Sequence, residues 1–220
     1  MNAFFLEVDH HQICKHGYYS CGDSFYSIKT ENGIICVLAD GLGSGIKASV
    51  LSTLTTTMAA EFMMSNIDIK RAAEIILETL PVCSYRQIGY STFTIIEARY
   101  DGHIRVIEHD NPPFALLRDG KCISVEKQEI PIKTFRKSHL YYSELDLQPG
   151  DRVVYYSDGV TQSGMGLPHL PLGWLERGVE SYLEKLLGEN PAISATEISR
   201  RVANKAREYD GNKAADDISC

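Results

Sequence analysis

IICVLADGLGSG, residues 34–45 of the chain, is an unbroken apolar run that stops at an Asp-Gly pair and a glycine-rich turn. A strand that is apolar at every position is typical of the middle of a sheet covered on both faces. From Gly45 onward the apolar residues recur every four positions, which indicates a helix. The stretch therefore predicts a buried central strand with Asp40 at its end and a helix directly after the turn.

The glycine-rich turn does not fit the spacings of phosphate-binding loops. A G-x-G-x-x-G pattern would need a glycine where Ile46 stands, and a G-x-x-x-x-G-K-[ST] pattern cannot be placed on residues 41–48. The carboxylate of Asp40 would also repel a phosphate at this point. We interpret the stretch as a turn that presents an acid, not as a nucleotide-binding loop.

On both sides of this stretch the chain shows strand patterns and two pairs of helical patterns, in the order strands, two helices, strands, two helices. The strand patterns lie at residues 2–8, 24–30, 34–39, 90–98, 103–109, 114–118, 121–125, 140–147 and 152–157. The apolar stripes of the four helices are, in order, Ile46, Val50, Leu54, Met58 and Phe62; Ile69, Ala72, Ala73, Ile76, Leu77 and Leu80; Leu175, Val179, Tyr182, Leu183 and Leu186; and Ile198, Val202 and Ala206. Asp68 is the predicted N-cap of the second helix, and Ser194 begins an S-x-x-E capping box before the last. This order predicts an α+β fold whose helices cover the sheets.

Length and charge narrow the classes of function. The 220 residues are predicted to form a single domain over 1–220, and no apolar run reaches the roughly 18–20 residues of a membrane span. The 29 acidic and 22 basic side chains leave a net charge of −7, which argues against affinity for nucleic acid or an anionic membrane. We therefore expect no nucleic-acid partner and no membrane partner.

The cysteines predict a reducing compartment. No C-x-x-C pair occurs among them, and the N-terminus shows no charged-then-apolar export leader. We expect a cytoplasmic protein with reduced thiols and no zinc site. The six cysteines are Cys14, Cys21, Cys36, Cys83, Cys122 and Cys220.

Acidic residues recur where predicted strands give way to tight turns. A glycine beside such an acid lets the backbone come close, so that a carbonyl oxygen can join the carboxylate as a ligand. Asp40 and Asp158 follow nearly continuous apolar runs, and a buried carboxylate is costly unless it is paired or bound to a metal. Because oxygen ligands suit magnesium, manganese or calcium, the pattern predicts a metal site. The candidate ligands are Asp23, Asp40, Gly41, Asp158, Asp216 and Asp217, whereas Asp101-Gly102 and Asp119-Gly120 are ordinary turns.

Four segments in order resemble the acidic motifs of the sporulation-stage-II-E branch of the metal-dependent PP2C-type serine/threonine phosphatases. They are CGDS at 21–24, ADGLGSG at 39–45, YSDGV at 156–160 and DDIS at 216–219. The strands and helices between the motifs match as well, so the resemblance covers nearly the whole chain. It implies a β-sandwich of two antiparallel sheets flanked by helix pairs, in α-β-β-α layers, with two manganese or magnesium ions at one edge.

The resemblance also implies a role for each acid. Asp40 would bridge the two ions, and the carbonyl of Gly41 would hold one of them. Asp158 and Asp216 would hold the other ion, with Asp217 alongside. Asp40 and Asp158 would act catalytically through a metal-activated water that attacks phosphorus, because two ions lower the pKa of a water they share. No nucleophilic serine or cysteine is required.

The sequence departs from the family pattern in some details. Asp23 matches an acid that reaches metal largely through water. Leu42 stands where eukaryotic relatives carry a histidine that protonates the leaving oxygen. The phosphate-binding arginine of those relatives has no evident match, and the family pattern continues into one more strand after the position of Cys220. The glycine- and proline-rich stretch at 164–173 is either a substrate-docking flap or an insertion that packs down.

The implied activity is protein serine/threonine phosphatase in a bacterial signalling pathway. Its phosphoprotein substrate would be a STAS-domain regulator of the anti-anti-sigma type, or another partner. One alternative is a binding module of the same fold that holds metal weakly, and the intact acidic set disfavours it. A second is a two-metal phosphodiesterase or nuclease, which should carry a basic groove and is disfavoured by the net charge of −7.

Overall fold

A computed structural model describes residues 4–80, 91–131 and 139–220. The predicted strand residues 2–3 and 90 lie outside these ranges, as do Cys83 and Pro81. The helices and strands within them are, in chain order, β1 (Gln12–Ile13), β2 (Asp23–Lys29), β3 (Gly33–Gly41), α1 (Ile46–Met64), α2 (Ile69–Thr79), β4 (Ser91–Arg99), β5 (His103–His109), β6 (Ala115–Arg118), β7 (Lys121–Ile123), β8 (Gln128–Ile130), β9 (Leu140–Asp146), β10 (Arg152–Val154), α3 (Asp158–Thr161), α4 (Leu175–Glu189), α5 (Ala195–Tyr209) and β11 (Ile218–Ser219).

The chain divides into two compact units. The first unit comprises Met1–Leu6, Gly22–Asn111 and Val125–Leu147, and the second comprises Glu7–Cys21, Pro112–Ser124 and Gln148–Cys220. Both units combine helices with antiparallel sheets, so the predicted α+β class is confirmed. The assignment of 1–220 to one domain stays a prediction.

The first unit is built around β3. Among the described residues, six strands form its antiparallel sheet, in the order β2-β3-β4-β5-β9-β8. Ile35, Val37 and Ala39 pack on one face in a core that includes the buried side of α2, and Cys36 and Leu38 between them are buried as well. The prediction of a central strand buried on both faces is confirmed, and Asp40 at its end is half-buried.

Helix α1 turns a different face to the core from the one predicted. Ile46, Val50 and Leu54 are 77%, 60% and 45% exposed, so the predicted stripe is wrong in the first half of the helix. Small side chains allow a helix to lie close to a sheet, and this requirement outweighs the burial of larger apolar groups here. The residues buried instead are Ala48, Ser52, Thr55, Thr56, Ala59, Ala60 and Met63.

Helix α2 follows its predicted pattern. The side chain of Asp68 accepts a hydrogen bond from the backbone N–H of Lys70 at 3.0 Å, which confirms the predicted N-cap. Arg105 of β5 also forms an ion pair with this carboxylate at 3.1 Å. The six predicted stripe residues, Ile69, Ala72, Ala73, Ile76, Leu77 and Leu80, are all buried.

The second unit contains shorter sheets. Within the described ranges, β10, β6 and β7 form one antiparallel sheet and β1 pairs with β11 in another. Buried faces of α4 and α5 share a core with Tyr156 and Trp174. Trp174 contacts Tyr182 and Tyr209 edge-on, with ring centroids 5.6 and 5.3 Å apart, and so anchors α4.

The N-terminal strand lies later in the chain than predicted. Of the described part of the predicted strand, residues 4–8 form none, and Phe5 is 91% exposed. The first strand is instead Gln12–Ile13, which pairs with Ile218–Ser219 at the other end of the chain. Because that partner is some two hundred positions away, the local alternation of residues could not identify the pairing.

Only one of the two hydrogen bonds of the predicted capping box before α5 forms. The N–H of Glu197 donates to the Ser194 hydroxyl at 3.2 Å. The Glu197 carboxylate does not reach back to Ser194, because it binds Arg200 and Arg201 one turn further along the helix.

No helix in the part of the chain that the structure describes is both long and apolar enough to cross a membrane.

Two matched substitutions test which face of α1 is buried. Val50→Leu should change the free energy of unfolding by less than about 0.5 kcal/mol, because the site is exposed. Ala59→Leu should lower it by about 1–3 kcal/mol, because Ala59 is fully buried and the added methylenes overpack the core. Urea unfolding measures both. A larger loss of unfolding free energy in Val50→Leu than in Ala59→Leu would contradict this buried face and favour the stripe predicted from the sequence.

Candidate metal centre

In the first unit, two predicted metal ligands stand directly opposite each other. The register of β2 and β3 pairs Asp23 with Asp40, and side chains of directly opposed residues lie on the same face of a sheet, with Cβ atoms about 4.5–5.5 Å apart. Asp23 is only 4% exposed. A buried carboxylate placed opposite a half-buried one is repelled by it, so this strand end favours a bound cation.

Gly41 is required for the approach of α1 to the end of β3. A Cβ atom at this position would lie 2.0 Å from the carbonyl oxygen of Ala48, in the first turn of the helix. The N–H of Gly41 donates to the carbonyl oxygen of Gly22 at 3.1 Å, which extends the pairing of β2 and β3 past the two acids. Because Gly41 has no side chain, the first turn of α1 can contact the end of β3, and this contact fixes the turn next to Asp40.

Polar groups of β4 stand on the other side of Asp40. Thr92 is its partner in the register of β3 and β4, and the hydroxyl of Ser91 donates to the Asp40 carbonyl oxygen at 2.9 Å. The Thr92 hydroxyl binds the side chain of Asn111, which in turn donates to Thr94 at 3.1 Å. This network fixes a hydroxyl beside Asp40.

In the second unit, the remaining three acids come together at the start of α3. The N–H of Ser157 donates to the Ser219 carbonyl oxygen at 3.0 Å, and the N–H of Ser219 donates to the Ser157 hydroxyl at 3.1 Å. These bonds align the segment before Asp158 with the segment after Asp217. A Cβ atom on Gly159 would lie 2.0 Å from the Asp217 carbonyl oxygen and 3.6 Å from the Asp216 Cβ atom.

Two polar residues that the sequence analysis missed hold these acids. The backbone N–H of Lys15 donates to Asp217 at 2.9 Å, and its ammonium group donates to Asp216 at 3.3 Å. Gln162 donates to the Asp158 carboxylate at 2.7 Å. The i,i+4 spacing of Asp158 and Gln162 was a usable signal, whereas Lys15 reaches the acids only through the pairing of the two chain ends.

The cysteines differ from the prediction of reduced thiols. Cys14 and Cys21 form a disulfide with their Cα atoms 4.6 Å apart, so the prediction is wrong for this pair. The bond closes a loop that includes Lys15 and the exposed residues 16–19, an arrangement that no C-x-x-C motif signals. Cys36, Cys122 and Cys220 remain thiols.

The stretch at 164–173 is closed at its base. The N–H of Trp174 donates to the Ser163 carbonyl oxygen at 3.0 Å, and the N–H of Gly164 donates to Asp210 at 2.7 Å. Leu167 and Leu170 form an isolated bridge inside it. The base of the stretch therefore packs down, as expected of an insertion. Met165 and Leu172 within it remain 59% and 68% exposed.

The donor atoms of both groups of acids fit the predicted class of metal. All candidate side-chain ligands are carboxylates, and oxygen donors suit magnesium and manganese. The structure brings Asp23, Asp40 and Gly41 together in the first unit and Asp158, Asp216 and Asp217 together in the second.

Comparison with known proteins identifies the family of the chain. The profile of the family described as Stage II sporulation protein E (SpoIIE) matches residues 30–220. The chain belongs to the SpoIIE family. Its sequence is 22% identical to the phosphoserine phosphatase RsbU of Bacillus subtilis (strain 168) over 209 residues, which is 90% of this chain.

Solved structures related to the SpoIIE family share the fold. The PP2C phosphatase domain of SpoIIE from Bacillus subtilis, solved with a fragment of its regulatory domain, superposes with a TM-score of 0.82 at 18% identity over 100% of this chain. RsbX in complex with magnesium has a TM-score of 0.62 at 19% identity, covering 96% of this chain and 90% of that one. The chain spans 57% of RsbU and 63% of the SpoIIE chain. The predicted PP2C-like fold is confirmed.

Gly159→Ala tests the close approach that brings the second group of acids together. The new Cβ atom has no room beside the Asp217 carbonyl oxygen, so the free energy of unfolding should fall by about 1–3 kcal/mol. Gly188→Ala in α4 is the control, because a Cβ atom there meets nothing within 4 Å and alanine favours a helix by about 0.5–1 kcal/mol. Equal effects of the two substitutions in urea unfolding would contradict this packing.

Proposed function

We propose that the chain is a manganese- or magnesium-dependent protein serine/threonine phosphatase. The observation that carries the proposal is the placement of Asp23 opposite Asp40 at the end of a buried strand. Membership of the SpoIIE family and the similarity to a protein named a phosphoserine phosphatase support the choice of reaction.

The proposed ligands keep the roles that the family resemblance implies. Asp40 and the Gly41 carbonyl would hold one ion, and Asp40, Asp158 and Asp216 would hold the other. Asp217 stands alongside, and Asp23 acts through water. When bound, the two ions would activate a water for attack on phosphorus and offset the charge of the phosphoryl group.

The surrounding residues orient these ligands. Lys15 holds one oxygen of Asp216 and one of Asp217, and Gln162 holds one oxygen of Asp158. Such outer contacts fix the direction in which a carboxylate would meet a cation. On the first unit, the hydrogen bond from Ser91 fixes the backbone at Asp40 in the same way.

The proposed substrate is a phosphoserine or phosphothreonine on a bacterial signalling protein in the cytoplasm, with a STAS-domain regulator as the preferred class. The net charge of −7 does not oppose this, because bound divalent ions reverse the local sign of the field. The same charge disfavours a polyanionic nucleic acid, and with it the phosphodiesterase alternative.

Phosphatase activity is tested with a phosphoserine peptide in the presence of manganese. Asp40→Asn and Asp158→Asn should each lower turnover at least about a hundredfold, a loss of roughly 2.7 kcal/mol of transition-state stabilisation. Asp119→Asn is the matched control: Asp119 lies in a turn with φ 51°, a conformation that asparagine also accepts, and turnover should not change.

Two results would overturn the proposal. If the wild-type protein binds manganese but hydrolyses no phosphomonoester, it is a binding module of the same fold and not a phosphatase. Faster hydrolysis of a phosphodiester than of the matching monoester would make it the phosphodiesterase. Circular dichroism of the asparagine variants must match the wild type for the comparison to count.

The substrate class is tested separately with a serine-phosphorylated STAS domain and a peptide of the same phosphosite sequence. Recognition of the folded partner should raise kcat/KM for the domain at least about tenfold over the peptide, which corresponds to roughly 1.4 kcal/mol of additional binding in the transition state. Equal values for domain and peptide would reject the STAS-domain assignment and leave the phosphatase assignment intact.

A further inference from the structure

The pairing of the chain ends places two sulfur atoms beside an acid. Gln12 and Ile13 pair with Ser219 and Ile218, and Cys14 and Asp217 are the next residues on the two segments. The disulfide brings the sulfur of Cys21 to the same place. The sulfur atoms of Cys14 and Cys21 and a carboxylate oxygen of Asp217 all lie within 4.8 Å of one another.

This set of atoms has the composition of a soft metal site. Zinc is held in proteins by thiolates, imidazoles and carboxylates at about 2.0–2.3 Å, so the ligand atoms of one ion lie within about 4 Å of one another. Two sulfurs and one oxygen confined to 4.8 Å need little movement to surround one ion. The backbone N–H of Lys15 holds the Asp217 carboxylate in position through one of its oxygens.

The pair is accessible from solvent. Both cysteines are half-buried, and the loop between them is exposed from His16 to Tyr19. Cys36 differs in this respect, since it is 4% exposed in the core of the sheet. Burial raises the pKa of the Cys122 and Cys220 thiols to about 12, which keeps both protonated near neutral pH.

We propose that Cys14, Cys21 and Asp217 form a second, thiol-based metal site that opens when the disulfide is reduced and then takes a thiophilic divalent cation such as Zn²⁺. A dithiol breaks the sulfur–sulfur bond with two electrons and two protons and itself becomes a disulfide. Cation binding then releases one proton from each cysteine thiol. Water fills the remaining position of a tetrahedral ion.

The site goes beyond the proposed phosphatase function and connects with it through Asp217. Asp217 stands among the proposed ligands of the hydrolytic ions, so a cation held by the cysteines would draw on the same carboxylate. The disulfide removes the two thiolates from competition. Oxidised protein therefore keeps Asp217 with the oxygen-ligated ions, while reduced protein offers it to a softer one.

Cobalt(II) is the probe, because thiolate ligation gives it a strong sulfur-to-metal charge-transfer absorption that carboxylate ligation does not give. Full-length protein is reduced with dithiothreitol under nitrogen, freed of reductant and titrated with Co²⁺. The absorption should rise to a plateau at one equivalent, disappear on addition of one equivalent of Zn²⁺, and persist in excess Mg²⁺. Oxidised wild-type protein should show none of it.

Variants separate this site from other thiols. The Cys14→Ser/Cys21→Ser protein should lose the absorption, and the Cys122→Ser/Cys220→Ser protein should keep it. Asp217→Asn should weaken Co²⁺ binding at least about tenfold. The proposal is overturned if reduced wild-type protein shows no charge-transfer absorption, or if the absorption survives in the Cys14→Ser/Cys21→Ser protein. Since no step uses phosphatase turnover, either result leaves the phosphatase assignment standing.

Discussion

Negative charge gathered at the ends of buried strands is the constraint on which the rest of this structure depends. Asp23 faces Asp40 across a strand pair, and Asp217, 4% exposed, follows directly after Asp216. Outside bulk water such carboxylates repel one another strongly and lose their hydration. Divalent cations with a preference for oxygen would offset both effects, as the proposed function requires.

The backbone, more than the side chains, sets the positions of these acids. Gly41 and Gly159 each leave space for a carbonyl oxygen that a Cβ atom would meet at 2.0 Å. At Gly41 the close neighbour is the first turn of α1, and at Gly159 it is the segment that carries Asp217. Asp40 and Asp158 therefore each depend on a neighbouring glycine that brings a second chain segment close.

Local sequence patterns predicted the parts of the fold that depend on local contacts. The run from Ile34 to Ala39 and the stripe of α2 were confirmed because large apolar residues mark both. In α1 the buried face consists of alanine, serine and threonine, so the visible stripe of larger residues indicated the wrong side. The positions of Lys15 and of the Cys14–Cys21 disulfide follow from the pairing of β1 with β11, which no local pattern encodes. Asp23, Asp40 and Asp158 were found from the sequence because each lies next to a glycine, whereas Asp216 and Asp217 were found as an acidic pair near residue 220.

Manganese binding to oxidised protein, measured by isothermal titration calorimetry, tests whether these acids form a metal centre. Two ions per chain are expected in the wild type. Asp40→Asn and Asp158→Asn, one in each compact unit, should both reduce the number or the affinity of bound ions. Wild-type protein that binds no manganese, or binding that neither substitution changes, would show that the acids do not form this centre.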